Sequence, residues 1–194
     1  RLMREINVSM GVFHEGMLLM QRDRAAAHFS DEEGARILVC SEIGSEGRNF
    51  QFAHHLVLFD LPDEPELLEQ RIGRLDRIGQ SATIQIHVPF IEKTGGDVMA
   101  QWYHHGLGAL EANVHGATEI HLSVKDDLVA LRAKYDAKKL KPLIKKTVEL
   151  RSQVTKKLER GHDRLLELNS CKPEKAAEVI DIVKQLDADT SFEE

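Results

Sequence analysis

Short apolar runs alternate with longer amphipathic stretches over the first hundred residues. Val8 to Phe13 reads as a strand closed by His14-Glu15-Gly16. Met17 to Phe29 reads as a helix, with Leu18, Met20, Ala25 and Phe29 near one helical period. The polar stop Asp31-Glu32-Glu33-Gly34 precedes Ile37-Leu38-Val39-Cys40, a continuously apolar strand, and Leu56-Val57-Leu58-Phe59 is a second, closed by Asp60-Leu61-Pro62. Runs without polar alternation predict strands covered on both faces, as in a parallel sheet. Glu64 to Ile78 predicts a helix, with Pro65 tolerable in its first turn and Gly79 just past its end. Thr83 to Val88 alternates and predicts a strand, and Asp97 to Leu110 a helix anchored by Val98, Trp102 and Leu107. Met17, Met20 and Met99 are expected in the core, with Cys40 as a small buried hydrophobe. This order implies an α/β architecture with a parallel sheet.

After Gly116 the β pattern vanishes. Ile120 to Lys139 and Pro142 to Leu168 predict helices, the second with Leu143, Leu150, Val154, Leu158 and Leu165 along one stripe. Asn169 to Lys172 predicts a turn, and Pro173 opens a helix to about Leu186, giving an antiparallel helical hairpin whose seam the stripe forms. The chain therefore divides into an α/β part over 1–116 and a helical part over 117–194.

Composition refines this picture. With 194 residues and 42% hydrophobic content, the chain can build a packed core, which excludes wholesale disorder. No apolar run approaches the ~18 residues that would span a bilayer, so no membrane role is expected. Two cysteines, Cys40 and Cys171, are too few for a disulfide framework and point to a reducing, cytoplasmic setting. The net charge of −6 hides a block over 120–164 with 13 Lys/Arg against 6 Asp/Glu. Such a block suits nucleic-acid phosphates, an acidic protein, or only solvent. The chain opens Arg1-Leu2-Met3 without an initiator methionine, and reads as cut from something longer.

Candidate chemistry concentrates in two segments. In Gln70-Arg71-Ile72-Gly73-Arg74-Leu75-Asp76-Arg77-Ile78-Gly79-Gln80, the three arginines are spaced by three and would share one side of a helix. Arg74 and Arg77 together suit one compact anion, because guanidinium groups match phosphate oxygens in bidentate geometry. The plainer reading is a solvated basic face paired to Glu66, Glu69 and Asp76. The second segment, Ser41 to Phe50, follows an apolar strand and carries Gly44 and Gly47. A glycine-bearing loop at the carboxyl end of a parallel strand is where such sheets bind ligands, although most Gly-x-x-Gly loops are only turns.

Together these segments resemble the second RecA-like lobe of superfamily-two helicases and translocases. Gln70 to Gln80 looks like the family's sixth motif, with the trailing Ile78-Gly79-Gln80 typical of Swi/Snf-type ATPases, and Ser41 to Phe50 looks like its fifth. With Phe59-Asp60-Leu61-Pro62 and Leu67-Leu68-Glu69-Gln70, the wording is similar to bacterial RNA polymerase-associated ATPases of this type over residues 12–110. Gly161 to Glu167 resembles the helical spacer that follows. The resemblance implies a RecA-like lobe missing its first strand, followed by a helical hairpin. It implies that Arg74 and Arg77 are arginine fingers reaching the ATP γ-phosphate, with Gln70 near the same phosphates. Gly47 and Asn49 would face the nucleotide, and Ser41, Glu42 and Arg71 would lie toward double-stranded DNA. His14-Glu15-Gly16 falls in a loop expected to be structural.

The same resemblance implies a full-length ATP hydrolase of the bacterial cytoplasm, near the nucleoid, that recycles RNA polymerase during transcription. No Gly-x-x-x-x-Gly-Lys-Ser/Thr loop is present, and no Asp-Glu pair for Mg2+ directly follows an apolar strand. ATP and Mg2+ would thus be held mainly by a first RecA-like lobe, leaving this chain inactive alone and prone to homodimerise. No metal site is expected within it, since His54-His55 and His104-His105 are adjacent pairs with diverging side chains. The alternative function is a non-catalytic interaction module docking through the hairpin over 143–187.

Overall fold

The computed structural model describes residues 8–41, 50–76, 80 and 82–161. Two βαβ units open the chain. β1 (Met10–Phe13), α1 (Leu19–Ser30) and β2 (Ile37–Cys40) form the first, with the strands parallel and Met10 opposite Ile37. β3 (His55–Val57), α2 (Pro65–Ile72) and β4 (Gln85–His87) form the second, parallel with His55 opposite Gln85. Among the described residues these remain two separate two-stranded sheets, where one sheet was expected. The two units meet through an aromatic cluster of Phe29, Phe50 and Phe52, with ring centroids 5.2–6.2 Å apart.

The remainder is helical: α3 (Gly95–Gln101), a π-helical stretch (Trp102–Leu107), α4 (Ala117–Ala133) and α5 (Ala137–Gly161). The main core gathers Leu58 and Leu68 from the second βαβ unit with Val98, Trp102, Tyr103, Leu107, Ile120, Val124, Leu128, Leu140, Leu143 and Val154. Burial of this many large side chains, each worth roughly 1.5–3 kcal/mol, is what fastens the helical part onto the α/β part. The π-helical turn widens so that Trp102 reaches inward and Gly106 meets α5. A Cβ on Gly106 would lie 3.4 Å from the Thr147 side chain, so the contact is close backbone approach. At Gly116 φ is +74° and an added Cβ would run into Val154, which reserves that position for glycine.

Several expectations are corrected. The helix expected from 64 to 78 ends at Ile72, where Gly73 to Leu75 turn and Leu75 and Asp76 both donate to the Ile72 carbonyl at 3.0 Å. The helix expected from 120 to 139 breaks at Lys134. A new one starts after Asp136, whose carboxylate accepts from the Lys138 amide at 2.9 Å as an N-terminal cap. Pro142 therefore lies inside α5 rather than opening it. The stripe's Leu143, Leu150 and Val154 pack on the π-helical stretch and α4. The hairpin's second helix, the partner expected for the stripe, lies outside the described residues with Cys171.

The first βαβ unit buries less than its pattern suggested. α1 has no buried residue, Met20 and Cys40 are exposed, and Met17 is half-buried; Met99 is buried as expected. The histidine pairs do not diverge either. The His104 and His105 rings lie 4.3 Å apart and those of His54 and His55 4.9 Å, and His55 Nδ1 is 3.1 Å from His87 Nε2 across β3 and β4. No group of three or more His, Cys, Asp or Glu that could hold a metal occurs among the described residues. No described helix is long and apolar enough to cross a membrane.

Candidate functional site

The two motif-like segments come together at their ends. Phe50, which follows the loop after β2, donates its amide to the Arg74 carbonyl at 2.9 Å. Arg74 sits in the turn after α2, its amide 3.4 Å from the Arg71 carbonyl, so it leaves the helical face on which Arg71 lies. Arg74 is half-buried, and its guanidinium has no hydrogen bond or ion pair among the described residues. Arg77, Glu42, Gly47 and Asn49 lie outside those residues.

Arg71 has a different setting. One guanidinium nitrogen donates to the Asp60 carbonyl at 2.8 Å, and the other lies 3.4 Å from the Asp60 carboxylate. Of the carboxylates expected as its partners, Glu69 instead accepts from Asn113 and Glu66 from Thr118, each at 2.8 Å. These contacts join α2 to the chain entering α4.

Ser41 ends β2. Its amide donates to the Phe13 carbonyl at 3.0 Å and its hydroxyl to Glu15 at 2.5 Å. That hydrogen bond is the main reason the Glu15 carboxyl titrates below its ordinary range, with His14 and Arg22 adding smaller electrostatic help. Arg22 in turn donates to the Met17 and Glu15 carbonyls at 3.0 and 2.8 Å. The His14-Glu15-Gly16 loop thus holds the start of the glycine-bearing segment.

Gln80 reads in the sequence only as the motif's trailing residue, yet it joins both segments. Its amide nitrogen lies 2.9 Å from the Gln51 carbonyl and 3.2 Å from that of Leu75. Its carbonyl accepts from the Ala82 amide at 3.0 Å. Asp60, Glu15 and Gln80 share one sequence signal that could have found them: a single polar residue just beyond a strand or glycine turn, where backbone groups need partners.

Gln70 faces elsewhere. It is exposed and lines a cleft of about 830 Å³ with Glu66, Glu69, Asp76, Gln80 and Asn113, which Arg71 and Arg74 do not line. The carboxylates on that wall disfavour a polyphosphate within the cleft itself.

Comparison with known proteins fits this geometry. The model of the RNA polymerase recycling family C-terminal region matches residues 83–194, and that of the helicase conserved C-terminal domain matches residues 1–79. A solved structure described as the C-terminal part of the Fun30 ATPase domain is similar over 70% of this chain, at 15% identity and a TM-score of 0.48. The chain spans 44% of that structure's length. The α/β part is a RecA-like helicase C-terminal lobe followed by a helical region. With more than half of its length matched, the chain belongs to the RNA polymerase recycling (RapA) family and carries that family's C-terminal region behind a helicase conserved C-terminal domain.

Proposed function

We propose that this chain supplies the second motor lobe and the following helical region of an ATP-driven, Swi/Snf-type translocase on double-stranded DNA, one that binds RNA polymerase and promotes its recycling in the bacterial cytoplasm, at the nucleoid. The observation that carries the reading is the hydrogen bond from Phe50 to the Arg74 carbonyl. It supports a single site built from both motif-like segments, with the Arg74 guanidinium left without a protein anion among the described residues.

In this reading Arg74 and Arg77 meet the γ-phosphate of ATP bound on a first RecA-like lobe. Negative charge spreads over the γ-phosphoryl oxygens during transfer, and a planar guanidinium stabilises it there. Gly47 and Asn49 lie on the nucleotide side; Ser41, Glu42 and Arg71 lie toward the DNA. Arg71 then acts while tethered to Asp60, which fixes its direction. In the same reading Mg2+ is held mainly by the first lobe. Closure of the lobes around ATP is coupled to movement of the track.

Mixing the chain with a first lobe that carries the phosphate loop tests this directly. ATP hydrolysis should appear only in the mixture. Turnover by the purified chain alone, or none in a mixture shown to associate, overturns it.

A further inference from the structure

α5 is two-faced in a way that the motor reading leaves unused. Leu140, Leu143, Thr147 and Val154 are buried against the lobe. Seven lysines occupy the same helix, Lys138, Lys139, Lys141, Lys145, Lys146, Lys156 and Lys157, and all are exposed. At 3.6 residues per turn, Lys138, Lys141, Lys145 and Lys156 fall opposite the buried stripe. Lys146 pairs with Asp127 at 3.1 Å and Lys145 approaches Glu149 at 3.9 Å. Lys138, Lys139, Lys141, Lys156 and Lys157 have no ion pair among the described residues.

We infer that this lysine face of α5 is a second, sequence-independent docking surface for the phosphate backbone of duplex nucleic acid. Charge complementarity identifies the partner. Lysine is a flexible point charge suited to phosphate oxygens, and phosphate contacts fix position without reading bases. The face is also long enough. From Lys138 to Lys156 the helix rises about 27 Å, most of one turn of a duplex. A protein partner fits less well, because interfaces are depleted in lysine and centre on buried aromatic or large apolar anchors. No large hydrophobic side chain of α5 is exposed among the described residues. The surface involves neither the arginines after α2 nor Ser41, so it stands or falls apart from the motor reading.

The test is fluorescence anisotropy of a labelled duplex of arbitrary sequence, titrated with the protein without nucleotide between about 50 and 200 mM KCl. The variant K138Q/K141Q/K145Q/K156Q should bind about fivefold or more weakly. The slope of log affinity against log salt should flatten by about 0.9 for every phosphate that the variant no longer neutralises. Amine acetylation of the wild-type protein, read by mass spectrometry, should show these lysines shielded when duplex is added, a readout that needs no variant to fold. Unchanged affinity and slope with no shielding would overturn the inference and leave the face to an acidic protein or to solvent.

Discussion

The indole nitrogen of Trp102 donates to Thr147 Oγ1 at 3.1 Å, and that hydroxyl donates onward to the Leu143 carbonyl at 2.9 Å. Both side chains are fully buried, and they tie the wide turn after α3 to α5 across 45 residues. Thr147→Val keeps the shape but leaves the indole N–H without its acceptor. The expected cost is about 1–3 kcal/mol in denaturant unfolding, with Thr147→Ser markedly milder. Equal losses from both variants would show that packing, not the hydrogen bond, joins the two elements.

Gln80 should act as a strut. Gln80→Leu removes the donor shared by the Gln51 and Leu75 carbonyls, with an expected loss of about 1–2 kcal/mol. Hydrogen exchange at the Phe50 and Ala82 amides should quicken. Unchanged exchange at both amides would separate Gln80 from the Phe50–Arg74 link.

How far the sequence carries depends on the range of the forces involved. Ile37 to Cys40 is a strand at the predicted residues, because an apolar run between a polar stop and a glycine-bearing loop leaves little else to form. Gly73 gave no equal warning of the break in α2. Only the turn that buries Leu75 and receives Phe50 explains why Arg74 leaves the face of Arg71. The π-helical turn at Trp102 was likewise illegible, since it follows from the approach of Gly106 to Thr147, forty-one positions away in the chain. Within the candidate site, residue types and order were legible. The partners of Arg71, Ser41 and Gln80 were not, because they are backbone groups and carboxylates brought in from other elements.

His121 gives a pH signature. Its ring is buried 5.7 Å from that of Trp102, and burial, helped by Lys125, lowers its pKa below the ordinary 6.5; Glu64 and Asp63 oppose this. The unfolded chain therefore takes up this proton first. The stability His121 contributes is full above about pH 6.5 and is lost as pH falls through its folded value. His121→Gln should flatten that part of the profile, read as the difference in urea midpoint between pH 8 and pH 5. A steeper fall in the variant would contradict the assignment.

The first βαβ unit exposes Val12, Leu18, Leu19, Met20 and Val39 around a two-stranded sheet. Such a patch favours association. Light scattering of the purified chain should show mass rising with concentration, and Leu19→Glu with Met20→Lys should suppress it. A monomer at every concentration would contradict this expectation.

The arginine fingers are the centre of the proposed motor. In the protein acting with its first lobe, Arg77→Ala should lower ATP turnover on the order of 10³-fold or more while leaving nucleotide binding nearly intact, because the guanidinium meets charge that develops only during transfer. Arg74→Ala should behave similarly, Arg71→Ala less severely, and Arg77→Lys should rescue poorly. The decisive measurement is steady-state ATP turnover of Arg77→Ala beside its nucleotide affinity: a collapse in turnover with affinity retained is the predicted result, and near-wild-type turnover in a folded variant would contradict it.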